Sequence, residues 1–283
     1  MISINNLSFS YSNSKPFIEN MNFNVNKGEI FGFLGPSGAG KSTLQKILTG
    51  VLTNYSGSVT VKDVEVKSHD NSFYENIGVD FEFPSLYGKF TAIENLKFFG
   101  SLYKRDVIDP TKLLEMVGLE NHGNKKVAEF SKGMKSRLNF VKALIHQPDI
   151  LFLDEPTSGL DPSNARVMKN IILEEKAKGK TIILTTHNMH DATELCDRVA
   201  FIVDGEIKAL DTPHNLIMKR GGNLIKYSYL QEGREVVKTT RVDETGKDLT
   251  LLNLIKENRL LSIHSSEPTL EEIFIEVTGR CLQ

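Results

Sequence analysis

Apolar positions in this chain change their spacing several times, and each change marks an element. Over residues 1–34 short apolar runs alternate with turn signals. ISINNLSFSY, NMNFNVNKG and EIFGFL read as strands, with Asn-Lys-Gly as a turn. A glycine-rich loop begins at residue 35 and leads into a helix-like stretch, TLQKILTGVL, after which SGSVTVKDVEV returns to strand character. From about Thr91 the spacing is helical. TAIENLKFFGSLY opens with Thr91 and Glu94 at capping-box separation. KLLEMVGLE and SRLNFVKALIHQ are further helices, and Ser131 is a good N-cap for the second, with Leu138, Val141 and Leu144 or Ile145 recurring behind it. ILFLD (150–154) and TIILTT (181–186) are apolar without alternation, as buried parallel strands are in a sheet covered by helices. The helix NARVMKNIILEEKAKG separates them. After about residue 218 the composition shifts: IKYSYL and EVVKTTRV read as strands and PTLEEIFIEVTG as a terminal helix.

The totals narrow the classes. The chain has 283 residues, enough for one large domain with a small appendage. Its formal charge of -2 gives no sign of nucleic-acid binding. Two cysteines, Cys196 and Cys281, form neither a metal spacing nor a disulfide framework, which suits a reducing compartment. The N-terminal MISINNLSFSYS is not a signal peptide, and no segment offers the run of apolar residues that a membrane span needs.

Two segments carry chemistry. Gly35-Pro36-Ser37-Gly38-Ala39-Gly40-Lys41-Ser42, with Thr43 next, matches G-x-x-x-x-G-K-[ST] in full, between a strand and a helix. Glycines let backbone N–H groups close around phosphates, and a helix N-terminus adds a favourable field. Lys41 is placed to reach the β- and γ-phosphates of ATP, and the Ser42 hydroxyl to bind Mg²⁺. In Ile150-Leu151-Phe152-Leu153-Asp154-Glu155, four apolar residues end in two acids. A carboxylate at that strand end can reach the Mg²⁺ shell, the role for Asp154, and Glu155 is then placed to polarise an attacking water. Taken alone, those two acids also suit the start of a loop.

GPSGAGKS, ILFLDEP, the following TSGLDP and the strand-end TTHN together resemble the nucleotide-binding subunits of ABC transporters. FSKGM falls where that family carries its Leu-Ser-Gly-Gly-Gln signature. The resemblance covers roughly residues 1 to 218 and is specific, because five motifs occur in order. It implies an α/β P-loop ABC-ATPase fold: a mixed-sheet core over 1–218, an inserted helical subdomain at about 86–146, and a small α+β extension over 219–283. It implies that two copies pack head to tail, so that the signature of one, through Ser131 and the Gly133 N–H, closes on the γ-phosphate held by the other's P-loop. Tyr11 lies where the family stacks adenine, with Phe9 as a minor rival. His187 resembles the switch histidine at the γ-phosphate, and Ser158, Gly159, Leu160 and Asp161 resemble the loop that crosses to the partner copy.

Departures are Phe130, Lys132 and Met134 in the signature, and Glu82 where the family's Q-loop glutamine stands, with Asp80 as the rival. Glutamate keeps an oxygen for Mg²⁺ but loses the amide donor. It resembles a variant of lantibiotic and bacitracin self-protection transporters, and the Ser-x-Gly-Met form looks like the drug- and peptide-export branch. The implied function is an ATP-hydrolysing subunit that energises export through a separate integral membrane permease, peripheral on the cytoplasmic face of the membrane. The runner-up is a soluble ABC-type ATPase without a membrane partner; such proteins usually carry two cassettes or a long basic linker. A P-loop kinase or GTPase has no use for FSKGM and TSGLDP.

Overall fold

A computed structural model describes residues 1–12, 16–220, 224–266 and 268–280. Cys281 lies outside them. The chain forms two compact units, one over Met1–Leu210 and the other beginning at Asp211.

The first unit opens with an antiparallel pair, β1 (Ile2–Phe9) and β2 (Ile18–Val25). Ile2 and Ile4 point into the core, and so do Leu7 and Phe9. A strict two-residue period would put the second pair outside. A bulge with Asn6 in the left-handed region (φ 51°) absorbs the extra residue and returns Leu7 to the buried face. Next come β3 (Ile30–Leu34) and α1 (Lys41–Leu48). The helix stops earlier than the run TLQKILTGVL suggests, because Gly50 turns the chain at φ 74°. SGSVTVKDVEV is a hairpin and not one strand: β4 (Ser56–Val61) and β5 (Val64–Glu65) join through Lys62 and Asp63, both at positive φ (52° and 64°).

The chain continues with β6 (Ile77–Asp80), α2 (Ala92–Gly100), α3 (Pro110–Met116), α4 (Lys132–Leu144), β7 (Ile150–Asp154), α5 (Pro162–Ala177), β8 (Thr181–Thr186), α6 (Met189–Leu195), β9 (Arg198–Val203) and β10 (Glu206–Asp211). One sheet has the order β2-β1-β4-β5 and the other β10-β9-β3-β8-β7-β6. In the second, β6, β7, β8, β3 and β9 run parallel. Their carboxyl ends therefore share one edge, where ligands collect in open α/β sheets. Aromatic and aliphatic side chains of both sheets and of α1, including Phe23, Phe31, Phe33, Leu44 and Phe152, form one buried cluster.

Two helix starts follow their sequence signals. The Thr91 hydroxyl accepts from Glu94 N–H while Glu94 accepts from Thr91 N–H, and Ser131 Oγ accepts from Met134 N–H at 3.2 Å. Helix α4 lies close on β6 because residue 78 is glycine: a Cβ there would sit 2.1 Å from the Ala143 carbonyl oxygen.

The second unit contains α7 (Pro213–Arg220), β11 (Leu224–Gln231), β12 (Arg234–Arg241), α8 (Leu249–Lys256), β13 (Leu260–Ser266) and α9 (Leu270–Thr278). Its antiparallel sheet, in the order β12-β11-β13, buries Tyr227 and Tyr229 against Leu251 and Leu254 of α8.

Candidate active site

Between β3 and α1 the glycine-rich loop is held by close approach and unusual backbone. A Cβ on Gly35 would lie 2.1 Å from the Ile202 carbonyl oxygen, so only glycine lets the loop leave β3 against β9. Gly40, the N-cap of α1, has φ 112°, a conformation that side-chain-bearing residues rarely adopt. Lys41 follows it and folds back over the loop, donating from Nζ to the carbonyl oxygens of Gly35 (2.6 Å) and Pro36 (3.0 Å). Burial lowers its pKa, and the nearby carboxylates of Glu155, Asp154 and Glu82 act in the opposite direction.

The acids come from neighbouring strand ends. Asp154 closes β7 and accepts a hydrogen bond from the Thr185 hydroxyl of β8. Burial raises its pKa, as do the charges of Glu155 and Glu82, against that hydrogen bond and Lys41. Glu155 takes a left-handed backbone (φ 50°) while its N–H stays bonded to Thr185 O at 2.9 Å. Such a backbone costs about 1 kcal/mol or more in a residue with a side chain. Here it turns the carboxylate toward the end of β8. Oε1 accepts from the His187 backbone N–H (2.9 Å) and sits 2.7 Å from His187 Nδ1, and Oε2 accepts from Thr186 Oγ1 (3.1 Å). Three contacts from one strand end hold both oxygens of Glu155.

Asp154, Glu155 and His187 line one cavity of about 310 Å³, together with Ser37, Gly38, Gly40, Lys41, Ser42, Thr43, Glu82 and Ser158. Ser42, Glu82 and Asp154 offer only oxygen, the donor type that a hard divalent cation takes. Of the two rival acids, Glu82 lines this cavity, whereas Asp80, the last residue of β6, is buried and does not line it. Asp80 accepts from Asn139 Nδ2, and burial pushes its pKa up to about 7 despite Lys142 and that bond.

Other residues singled out in the sequence stand around this centre. Tyr11 is exposed and its hydroxyl is 2.8 Å from Thr43 Oγ1, while its ring meets Phe9 and Phe17 edge-on. Phe17 lines the cavity beside the loop. It stands just before β2, in a stretch to which sequence reading assigns neither an element nor a role. Ser131 and Gly133 are not part of the cavity lining; Ser131 caps α4, and Gly133 lies against the Leu160 side chain. The Lys132 side chain runs along Gly159. Asp161 caps α5, accepting from the N–H groups of Ser163 and Asn164, and its bonds to Asn164 hold its pKa low.

The family model described as ABC transporter matches residues 18–158. A fluoroquinolones export ATP-binding protein of Mycobacterium tuberculosis is 47% identical over all of this chain and 94% of its own length. A Nod factor export ATP-binding protein of Rhizobium meliloti is 35% identical over 95% of this chain and 85% of its own. Among solved structures, a dimeric ATP-binding cassette in a post-hydrolysis state with ADP and Pi superposes with TM-score 0.69 at 25% identity, over 75% of this chain and 98% of that one. With the loop, the strand-end acids and His187 gathered at one sheet edge, the chain belongs to the ABC transporter family, as one of its ATP-binding subunits.

Proposed function

We propose that this chain hydrolyses ATP to drive export of a small drug-like or peptide molecule through a separate membrane permease, working as a head-to-tail pair of copies. The observation that carries the reading is the single cavity shared by Lys41, Ser42, Asp154, Glu155, Glu82 and His187. Lys41 and the N–H groups at the start of α1 would hold the β- and γ-phosphates. Ser42, Asp154 and Glu82 are the residues that would hold Mg²⁺, which when bound neutralises charge on the phosphate oxygens. Glu155, its carboxylate oriented by Thr186 and His187, orients a water and takes its proton. The water oxygen bonds to the γ-phosphorus as the bond to the bridging oxygen of ADP breaks, and ADP and phosphate leave.

The pairing of copies is supported by the placement of Ser131 and Gly133 outside their own chain's cavity, and by the dimeric cassette it resembles. A membrane partner is supported by the relatives' export names and by exposed aromatics beside Glu82. Phe83 is exposed, and Tyr87, Phe90 and Phe98, also exposed, are in ring contact at 5.1–6.3 Å. Among the described residues no helix is long and apolar enough to cross a membrane, so the membrane path would belong to that partner. The fluoroquinolones exporter among its relatives supports a drug as cargo. Phosphate release from ATP by the chain, alone and with the co-expressed permease, tests the proposal. Release that requires Mg²⁺ and disappears in Lys41→Ala supports it; no release under either condition contradicts it.

A further inference from the structure

A buried polar junction sits directly behind Glu82. It joins the end of β6 to α4, the helix that Ser131 caps. Asp80 and Asn139 are both almost wholly buried. Asn139 Nδ2 donates to the Asp80 carboxylate and, at 3.2 Å, to the carbonyl oxygen of Phe81, the residue before Glu82. Asn139 Oδ1 accepts from Lys142 Nζ at 2.7 Å. The same ammonium donates to Ser85 O at 3.2 Å and lies 4.8 Å from the centre of the Phe99 ring. The backbone on both sides of Glu82 is therefore bound to side chains one turn apart on α4. Glu82 itself lines the nucleotide cavity. A buried amide with both ends bonded fixes geometry, because releasing either end leaves an unpaired polar group in the core.

We infer that Asn139 is a positioning residue, which with Lys142 holds Glu82 at the cation end of the cavity and ties that position to the helix bearing the signature turn. The inference rests on the Mg²⁺ role proposed for Glu82. Any tilt of α4 then moves the Glu82 backbone with it, and the cation end of the cavity senses how the signature turn is seated.

The test measures affinity for a non-hydrolysable ATP analogue by calorimetry, with Mg²⁺ and with EDTA, and takes the ratio as the metal enhancement. Asn139→Leu should cut that enhancement about tenfold, the low end of what loss of a group orienting a metal ligand costs. The affinity in EDTA should hold. Lys142→Met should act in the same direction and less strongly, and it carries the test if Asn139→Leu does not fold. Glu82→Ala should lose the enhancement too, and adding Asn139→Leu to it should cost little more, since both act through one group. A purely structural role would instead lower the melting temperature with the enhancement intact. Variants that keep the parent's enhancement within roughly twofold overturn the inference alone. A parent with no enhancement overturns the metal role of the site, and the inference with it.

Discussion

The glycine-rich loop and the signature turn both sit at helix N-termini, yet the fold treats them in opposite ways. The loop is closed in. Gly35 is pressed on β9, Lys41 is nearly buried, and three carboxylates face its ammonium. The turn is open. Ser131 is exposed, and the partner seen for its hydroxyl is the Met134 N–H of its own helix. One region has the groups for phosphate, cation and water chemistry within a single chain. The other leaves Ser131 and Lys132 exposed at the start of a helix. On the proposed reading, that difference makes the chain one nearly complete half of a site and the complementary piece of another.

The largest expected effect lies in the closed region. Glu155→Gln keeps the side chain's shape and one acceptor oxygen but removes the base, so kcat should fall about 10²–10⁴-fold while ATP binding persists. Gel filtration of this variant with ATP and Mg²⁺ should show a dimer. Hydrolysis at the parent rate would remove Glu155 from the mechanism. Lys41→Ala should weaken ATP binding by about 10- to 100-fold, the worth of a charge-assisted contact, and calorimetry reads it directly. Unchanged affinity would break the contrast at its stronger end.

A third test addresses the junction between the two regions. The folded pKa of Asp80 is raised to about 7, above the ordinary carboxyl value of about 4. The folded chain thus binds this proton more tightly than the unfolded chain does. Stability from this group is fully present below about pH 4, is lost as pH rises to about 7, and is flat above that. Asp80→Asn has no such proton. The stability of the parent minus that of the variant, from urea midpoints, should therefore fall between pH 4 and 7. A pH-independent difference would contradict the burial argument. The smallest effect belongs to the open region. Ser131→Ala removes a cap and should lower stability by about 1 kcal/mol, read from the same midpoints. A loss of several kcal/mol would mean the turn is built into its own core, and the contrast would fail.

The closed region was legible in sequence because its determinants are local. Eight consecutive residues spell the loop, and ILFLDE places Asp154 and Glu155 at a strand end before any tertiary fact is known. Sheet order then gathers what local reading leaves scattered. His187 reaches Glu155 because β7 and β8 are neighbours in register. Phe17, just before β2 of the other sheet, lines the cavity, and the Tyr11 hydroxyl finds Thr43. The Asp80–Asn139–Lys142 junction was not legible, since it joins residues about 60 apart through a helix crossing that only Gly78 permits. The hairpin at Lys62–Asp63 was missed for a simpler reason: no glycine or asparagine marks it, and Lys62, the first left-handed residue, gives no turn signal. The strands β6, β9, β10 and β13 and the helices α6, α7 and α8 also went unread.

The central claim is that the open turn completes the closed site of a second copy. Mixing two disabled chains tests it. Ser131→Arg blocks the turn but leaves the P-loop intact; Lys41→Ala disables the P-loop but leaves the turn. Each alone should hydrolyse little ATP. A mixed pair has one site built from two intact halves, and the other site carries both defects. Phosphate release well above the sum of the separate chains is the predicted result. A mixture no more active than that sum, or Ser131→Arg chains that melt normally and hydrolyse ATP at the parent rate, would contradict the claim.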